Sequence, residues 1–223
     1  MVRYQERGEP VVLADGFEGR RLNIPNDLAL DVEGNVWFTD PYYEGSGGEW
    51  SRNRANKDLE HDSVYKLDKK MNHSWCITRM TFDTTRPNGL LFSLSHRTLY
   101  VAQSGREPEE QRQLRAYPML TDGTLGNPDI LHDFGPDRGI DGMCLTTEGD
   151  IVATAGWNKG GPGPMIYLFS PTGEVLEMHP FPVDRPTNCT FGDPDLRALY
   201  VTSIDGHLYK TRTELEGRLQ YPQ

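Results

Sequence analysis

A chain of 223 residues, 36% hydrophobic and 25% charged, is long enough to bury one sizeable core. Its formal net charge of -10 argues against a nucleic-acid surface or an anionic membrane surface as partner, and suits a neutral organic substrate or a cation. No apolar run approaches the roughly 20 residues that cross a bilayer. The polar start, residues 1–10, does not read as a signal peptide, so a cytoplasmic protein is expected, with periplasmic residence also compatible.

Residues 2–4 and 11–14 read as the last two strands of a sheet whose first half is absent. Residues 24–40, IPNDLALDVEGNVWFTD, open a new group: a tripeptide Pro25-Asn26-Asp27, a short apolar strand, a hairpin turn at 32–35, and a second strand. The longest connection follows at 41–62, with Gly45-Ser46-Gly47-Gly48 and a charged stretch. It is expected to be structureless and to project over one face, as a lid or a solvated insertion. Strands SVYKL (63–67) and WCITRM (75–80) complete the group.

The same order returns three times. Residues 86–103 (RPNGLLFSLSHRTLYVAQ) are followed by strands at 113–117 and 130–134. Residues 139–156 (GIDGMCLTTEGDIVATAG) are followed by strands at 164–169 and 174–181. Residues 185–203 (RPTNCTFGDPDLRALYVTS) are followed by a strand at 207–210 and a weak one near Leu219. Asn26, Asn88, Asp141 and Thr187 come at intervals of 62, 53 and 46 residues. About four sequential strands per repeat, with no helix-period stretch, predict an all-β chain of propeller blades within one domain over residues 1–223. A sandwich would not require the same tripeptide to open each group.

The repeat places Asn26, Asn88 and Asp141 at one structural position on successive blades. Three oxygen-bearing side chains aimed at one point suit a hard cation such as Ca²⁺ or Mg²⁺. The six histidines (61, 73, 96, 132, 179 and 207) show no HxxxH spacing, which disfavours a zinc site. Cys76, Cys144 and Cys189 form no CxxC pair, and Cys144 and Cys189 fall in apolar strands as buried thiols. Asp27 follows Asn26 and is a candidate both to orient it and, with it, to bind substrate. Asp40, Gln103, Ser203 and Asp205 are candidates for the channel mouth, with Trp157, Asn158 and Lys159 on its rim. Trp37, Phe38, Leu99, Tyr100, Leu199 and Tyr200 read as core between blades.

The segments LNIPNDLALDVEGNVWFTDPYY, RPNGLLFS with LYVAQSG, IDGM and RPTNCTFGDPDLRALYVTS resemble the SMP-30/gluconolactonase/LRE-like family, in family order and over nearly the whole chain. The resemblance implies a six-bladed β-propeller with one divalent cation in its central channel, and hydrolysis of sugar lactones. Organophosphate hydrolases are structural relatives. It implies that Asn88 and Asp141 hold the cation and that Asn26 binds cation or substrate, with Asp27 beside it. It further implies that Asp141 is the catalytic acid/base and that the partner is a small lactone. Calcium is the expected ion, with magnesium, manganese or zinc as alternatives.

One departure stands out. The family's glutamate ligand lies in an EGP-type motif, yet only 25 residues precede Asn26 and none forms that motif. The strand count is about eighteen, where six blades of four hold twenty-four. The chain is therefore expected to begin about one and a half blades late, leaving about four and a half blades and unpaired strand edges that favour association. A binding or scaffold module without turnover is the competing reading, and an organophosphate hydrolase would use the same site.

Overall fold

The computed structural model describes residues 1–70 and 74–219. Two short hairpins come first, β1 (Val2–Arg3) with β2 (Val11–Val12) and β3 (Gly16–Phe17) with β4 (Arg20–Arg21). Four antiparallel sheets follow in chain order. The first holds β5 (Leu28–Leu30), β6 (Val36–Asp40), β7 (Ser63–Lys69) and β8 (Trp75–Arg79). The second holds β9 (Pro87–Phe92), β10 (Thr98–Ser104), β11 (Arg112–Pro118) and β12 (Asp129–Asp133). The third holds β13 (Ile140–Leu145), β14 (Ile151–Trp157), β15 (Gly160–Phe169) and β16 (Val175–Pro180). The fourth holds β17 (Pro186–Gly192), β18 (Ala198–Ser203) and β19 (Leu208–Arg212). The first strands of these sheets, β5, β9, β13 and β17, neighbour one another in that order, so the sheets radiate from a common axis as propeller blades.

The all-β propeller expectation therefore holds, with two differences in detail. The hairpin β3–β4 leaves no mark in the sequence, because two-residue strands are too short to carry a period-2 pattern. The weak strand near Leu219 does not form. The chain there crosses back to the third blade instead, where Thr147 donates its N–H to Glu216 O and Arg218 donates its N–H to Leu145 O (both 2.8 Å). Among the described residues the fourth blade thus has three strands. Of the expected turns, the one at 32–35 is fixed by Asp31, whose carboxylate accepts from the backbone of Glu33 and Asn35 and from the Trp37 indole.

The core lies between blades, because each sheet buries residues on both faces. Trp37, Val64, Leu90, Phe92, Leu99 and Val101 fill the first gap. Leu91, Leu114, Ile140, Ala153 and Phe169 fill the second, and Cys144, Val152, Leu168, Cys189 and Phe191 the third. Phe38, Tyr65 and Leu67 on the far face of the first blade are covered by Met1, Leu13 and Phe17. Each fully buried large side chain contributes about 1.5–3 kcal/mol. Trp37, Phe38, Leu99, Tyr100 and Leu199 are buried as expected. Tyr200 is only half-buried, since it sits on the opposite face of β18 from Leu199 and Val201 and donates its hydroxyl to Asp193. Cys144 and Cys189 are buried free thiols with sulfurs 3.6 Å apart.

The inner strands approach closely at the repeat tripeptides. A Cβ on Gly89 would lie 2.5 Å from the Asp141 carbonyl oxygen, and one on Gly142 would lie 2.8 Å from the Asn188 Cα. Glycine is required there so that one blade's backbone can rest on the next.

The connection at 41–62 is not structureless. It contains two short 3-10 helices, Glu49–Arg52 and Arg54–Asn56, and buries Tyr42, Tyr43, Ser51 and Leu59. Tyr42 donates its hydroxyl to Ser51 O (2.7 Å), and Arg21 stacks its guanidinium 3.9 Å above Trp50. Beneath it, Asp62 accepts from Lys57 Nζ (2.5 Å) and from the Tyr42 N–H (2.9 Å). Asp40, fully buried, accepts from the Asn23 N–H (2.8 Å). Burial, with the Asp62 charge adding to it, pushes the Asp40 carboxyl up to about 7 from its ordinary 3.8. Asp40 Oδ1 has no hydrogen-bond partner among the described residues.

Two outcomes follow from this packing. Gly89→Ala should destabilise by on the order of 1–3 kcal/mol in urea unfolding. Parental stability in that variant would mean that the inner strands do not meet. Asp40 keeps its proton in the folded chain and loses it first in the unfolded one. Its contribution is therefore fully present below pH 3.8 and is lost as pH rises to about 7. The unfolding free energy of Asp40→Asn relative to the parent, from urea titrations, should rise between pH 4 and pH 7 by on the order of 1.4 kcal/mol for each pH unit and level off above it. A pH-independent difference would show that Asp40 is ionised throughout.

Candidate active site

Three of the four inner strands begin with an irregular ladder at the repeat tripeptide. In β9 the register shifts against β10 between Val101 and Gln103, leaving Asn88 and Gly89 opposite Ala102. In β13 it shifts against β14 between Ile140 and Met143, leaving Asp141 and Gly142 opposite Thr154. In β17 it shifts between Pro186 and Asn188, leaving Thr187 as the extra residue. An extra residue in one strand bends it and re-aims its side chain. The Thr154 hydroxyl closes the gap in the third blade, accepting from Gly142 N and donating to Gly142 O. Thr39 accepts from Asp27 N (3.1 Å) and Thr202 from Asn188 N (3.1 Å) in the same way.

The backbone before two of these tripeptides is strained. Arg86 (φ 81°) and Arg185 (φ 49°) are left-handed, although each precedes a proline. Arg86 is held by ion pairs to Glu107 (3.2 Å) and Glu110 (3.3 Å). Arg185 is held by Asp184 (3.0 Å). Strain of this kind persists where the surroundings over-determine a conformation, and it clusters at functional sites.

The bulges of the second and third blades aim into one cavity of 570 Å³ on the face where the inner strands begin. Asn88, Asp141, Tyr43, Arg106, Arg138 and Trp157 are among its lining residues. Asn88 Nδ2 donates to the Tyr43 hydroxyl (3.2 Å), while the buried Asn88 Oδ1 has no partner among the described residues. Asp141 is 23% exposed toward the cavity, and its Oδ2 accepts from Arg138 Nη2. Burial raises the Asp141 carboxyl above its ordinary range, against the opposing pull of Arg138, the Asn88 hydrogen bond and Arg106. Arg138 is fixed from behind by donating Nη1 to Gly156 O (3.0 Å) and Pro186 O (3.3 Å).

Asn88 and Asp141 are thus brought together. Asn26 is not placed with them: it is exposed, does not line this cavity, and donates its backbone N–H to Thr39 O (2.9 Å). Asp27 lines an adjoining cavity of 330 Å³ with Leu90, Met143 and Asn188. Its carboxylate accepts from Leu28 N (2.9 Å) and reaches across the blades to Leu90 N (3.3 Å). Burial pushes the Asp27 carboxyl up to about 6, with the Asp141 charge adding a little.

The donor set fits a hard cation in part. An unpaired buried amide oxygen costs about 1–3 kcal/mol, which a cation would relieve. Asn88 Oδ1 and Asp141 supply two oxygens of the six to eight that calcium takes. Among the described residues no three His, Cys, Asp or Glu side chains cluster. His73 lies outside the described residues.

The profile of the SMP-30/Gluconolactonase/LRE-like region matches residues 1–205. The chain belongs to this family. It is 29% identical to the gluconolactonase of Zymomonas mobilis over 92% of its own length and 55% of that protein. It is 32% identical to the 6-deoxy-6-sulfogluconolactonase of Pseudomonas putida, over 92% of its length and 67% of that protein. A solved gluconolactonase structure from Xanthomonas campestris superposes with a TM-score of 0.76 at 30% identity, over 96% of this chain and 64% of that one. The chain therefore spans little more than half the length of the Zymomonas relative. Among the described residues no helix is long and apolar enough to cross a membrane.

Several residues expected at the mouth of this family propeller sit elsewhere. Gln103 is buried and bonds the backbone of Thr85. Asp40 lies under the 41–62 connection. Ser203 and Asp205 bond each other, and Asp205 also bonds Tyr209. Trp157 does line the cavity, while the Asn158 N–H is taken by Asp184 (2.8 Å). Tyr43, Arg106 and Arg138 were not singled out from the sequence. Arg138 had one usable signal, since it precedes the Asp141 tripeptide in an otherwise Gly-rich turn.

Proposed function

We propose that this cavity hydrolyses sugar lactones with a divalent cation, Asp141 acting as acid/base. The observation that carries the reading is the buried, unpartnered Oδ1 of Asn88 beside the Asp141 carboxylate. The relatives named gluconolactonase and 6-deoxy-6-sulfogluconolactonase support it. Asn88 and Asp141 would hold the cation, calcium first among the candidates. When bound, the cation polarises the lactone carbonyl and stabilises charge on its oxygen.

The chain's own groups supply the proton chemistry. Water adds to the carbonyl carbon as Asp141 accepts one of its protons. The bond from that carbon to the ring oxygen then breaks, and Asp141 returns the proton to the departing oxygen, giving the open hydroxy acid. Arg138 holds Asp141 in place and favours its ionised, proton-accepting form. The Asn88–Tyr43 hydrogen bond orients the amide so that its oxygen stays free. The Arg138–Asp141 ion pair also favours a second reading, a ligand-binding propeller without turnover, because it already satisfies the carboxylate. An organophosphate hydrolase would draw on the same residues.

Glucono-δ-lactone hydrolysis assayed with Ca²⁺, Mg²⁺, Mn²⁺ or Zn²⁺, and with EDTA, tests the proposal. Turnover should require the metal and fall on chelation. Asp141→Asn should lower kcat/KM by about 10²–10⁴-fold. Asn88→Ala should weaken metal affinity and activity by about 10- to 100-fold. Turnover indifferent to EDTA, or parental activity in both variants, would remove the assignment.

A further inference from the structure

The chain is acidic, at -10, yet the cavity is basic: Arg106, Arg112, Arg138 and Arg185 line it, against the single carboxylate of Asp141. Two of these arginines are structural. Arg138 is spent on Asp141 and two carbonyls. Arg112 is buried and donates to the carbonyl oxygens of Glu107, Glu110 and Gly135. Those partners are neutral, so the Arg112 charge stays uncancelled. Arg185 shares Asp184 with the Asn158 N–H.

Arg106 is different. It is exposed, and it makes no ion pair among the described residues. Its guanidinium lies 4.2 Å from the Tyr43 ring centroid, and the Tyr43 hydroxyl in turn accepts from Asn88. Stacking on a buried ring fixes the plane of the guanidinium while leaving its forked N–H donors toward the cavity unengaged. The acids nearest to it along the chain are occupied. Glu107 and Glu110 pair with Arg86, and Glu110 also accepts the N–H groups of Arg106 and Glu107. A free, positioned guanidinium beside an uncancelled buried one is a receptor for an oxyanion.

We infer that the substrate carries an anionic group, away from the carbonyl under attack, and that Arg106 binds it with support from Arg185 and Arg112. This rests on the lactone reading and narrows it to acidic lactones. Phosphate, sulfonate and carboxylate share the chemistry that Arg106 offers.

The test compares glucono-δ-lactone with its 6-phosphate and with glucaro-δ-lactone, which carries a carboxylate. One or both charged lactones should be preferred in kcat/KM by at least ~10-fold at low salt, with the preference shrinking as salt rises. Arg106→Ala should bring the ratio to about 1 by raising KM for the charged lactone, and Arg106→Lys should restore part of it. Equal or better use of the neutral lactone by the parent, or a preference that survives Arg106→Ala, would overturn the inference. Calorimetry in EDTA with glucose 6-phosphate against glucose separates this from the lactone reading, because neither ligand is hydrolysed. Tighter binding of the phosphorylated sugar, lost in Arg106→Ala, supports the anion site even if no lactone turns over. Equal binding overturns it even if lactones do.

Discussion

The close approach of inner strands around the propeller axis is what the rest of the molecule depends on. Side chains on adjacent blades meet only if their backbones touch, and at Gly89 there is no room for even one added carbon beside the Asp141 carbonyl. The bulge at each tripeptide then turns Asn88 and Asp141 away from their own ladders and into a shared cavity. The hydrogen bonds broken by the bulge are replaced by a threonine hydroxyl from the second strand: Thr39, Thr154 or Thr202. Blade two has Ala102 at that position. There the Asn88 side-chain amide donates to Tyr43, from a different blade's connection.

That connection is positioned by buried charge. Asp62, Lys57, Asn23 and Asp40 form a polar cluster where the 41–62 segment leaves and rejoins the first blade. One lysine faces two carboxylates, and burial together with the Asp62 charge pushes the Asp40 carboxyl up to about 7, which eases the excess negative charge in a dry setting. The arrangement fixes Tyr42 and Tyr43 at the start of the segment. Tyr43 then serves the cavity twice, through its hydroxyl to Asn88 and through its ring to Arg106. A long Gly-rich connection that looked like a loose lid is thereby a wall of the site.

Blade order and the pairing of Asn88 with Asp141 were legible because they depend on recurrence, and recurrence survives in a linear sequence. The threonines of WFTD, VATAG and YVTS carry a further signal, since a hydroxyl repeated near the end of three of the four second strands marks the backbone gap it closes. Tyr43, Arg106 and Arg138 were not legible, because they reach the cavity from irregular segments with no period to betray their direction. Asn26 shares the repeat position but lies exposed, two residues before the three-residue strand β5. Equivalence in sequence puts residues at one height along the axis and does not by itself put them in one cavity. Overall charge is equally uninformative about one face: the chain carries a net of -10, while the fold gathers four arginines around a single cavity.

The two proposals bear on each other through that local charge. A divalent cation at Asn88 and Asp141 would stand beside Arg138, which already neutralises the carboxylate, and within the field of Arg106. One carboxylate cannot offset a divalent ion and two guanidiniums in a partly dry cavity, so each added positive charge weakens the hold on the next. An anionic group on the substrate removes that conflict. It supplies the negative charge at the Arg106 end and lets the cation keep Asp141. By linkage, a ligand that improves cation binding must be improved by the cation to the same degree. On these two proposals, metal affinity and the preference for a charged lactone should rise and fall together, coupled through the charge of Arg106.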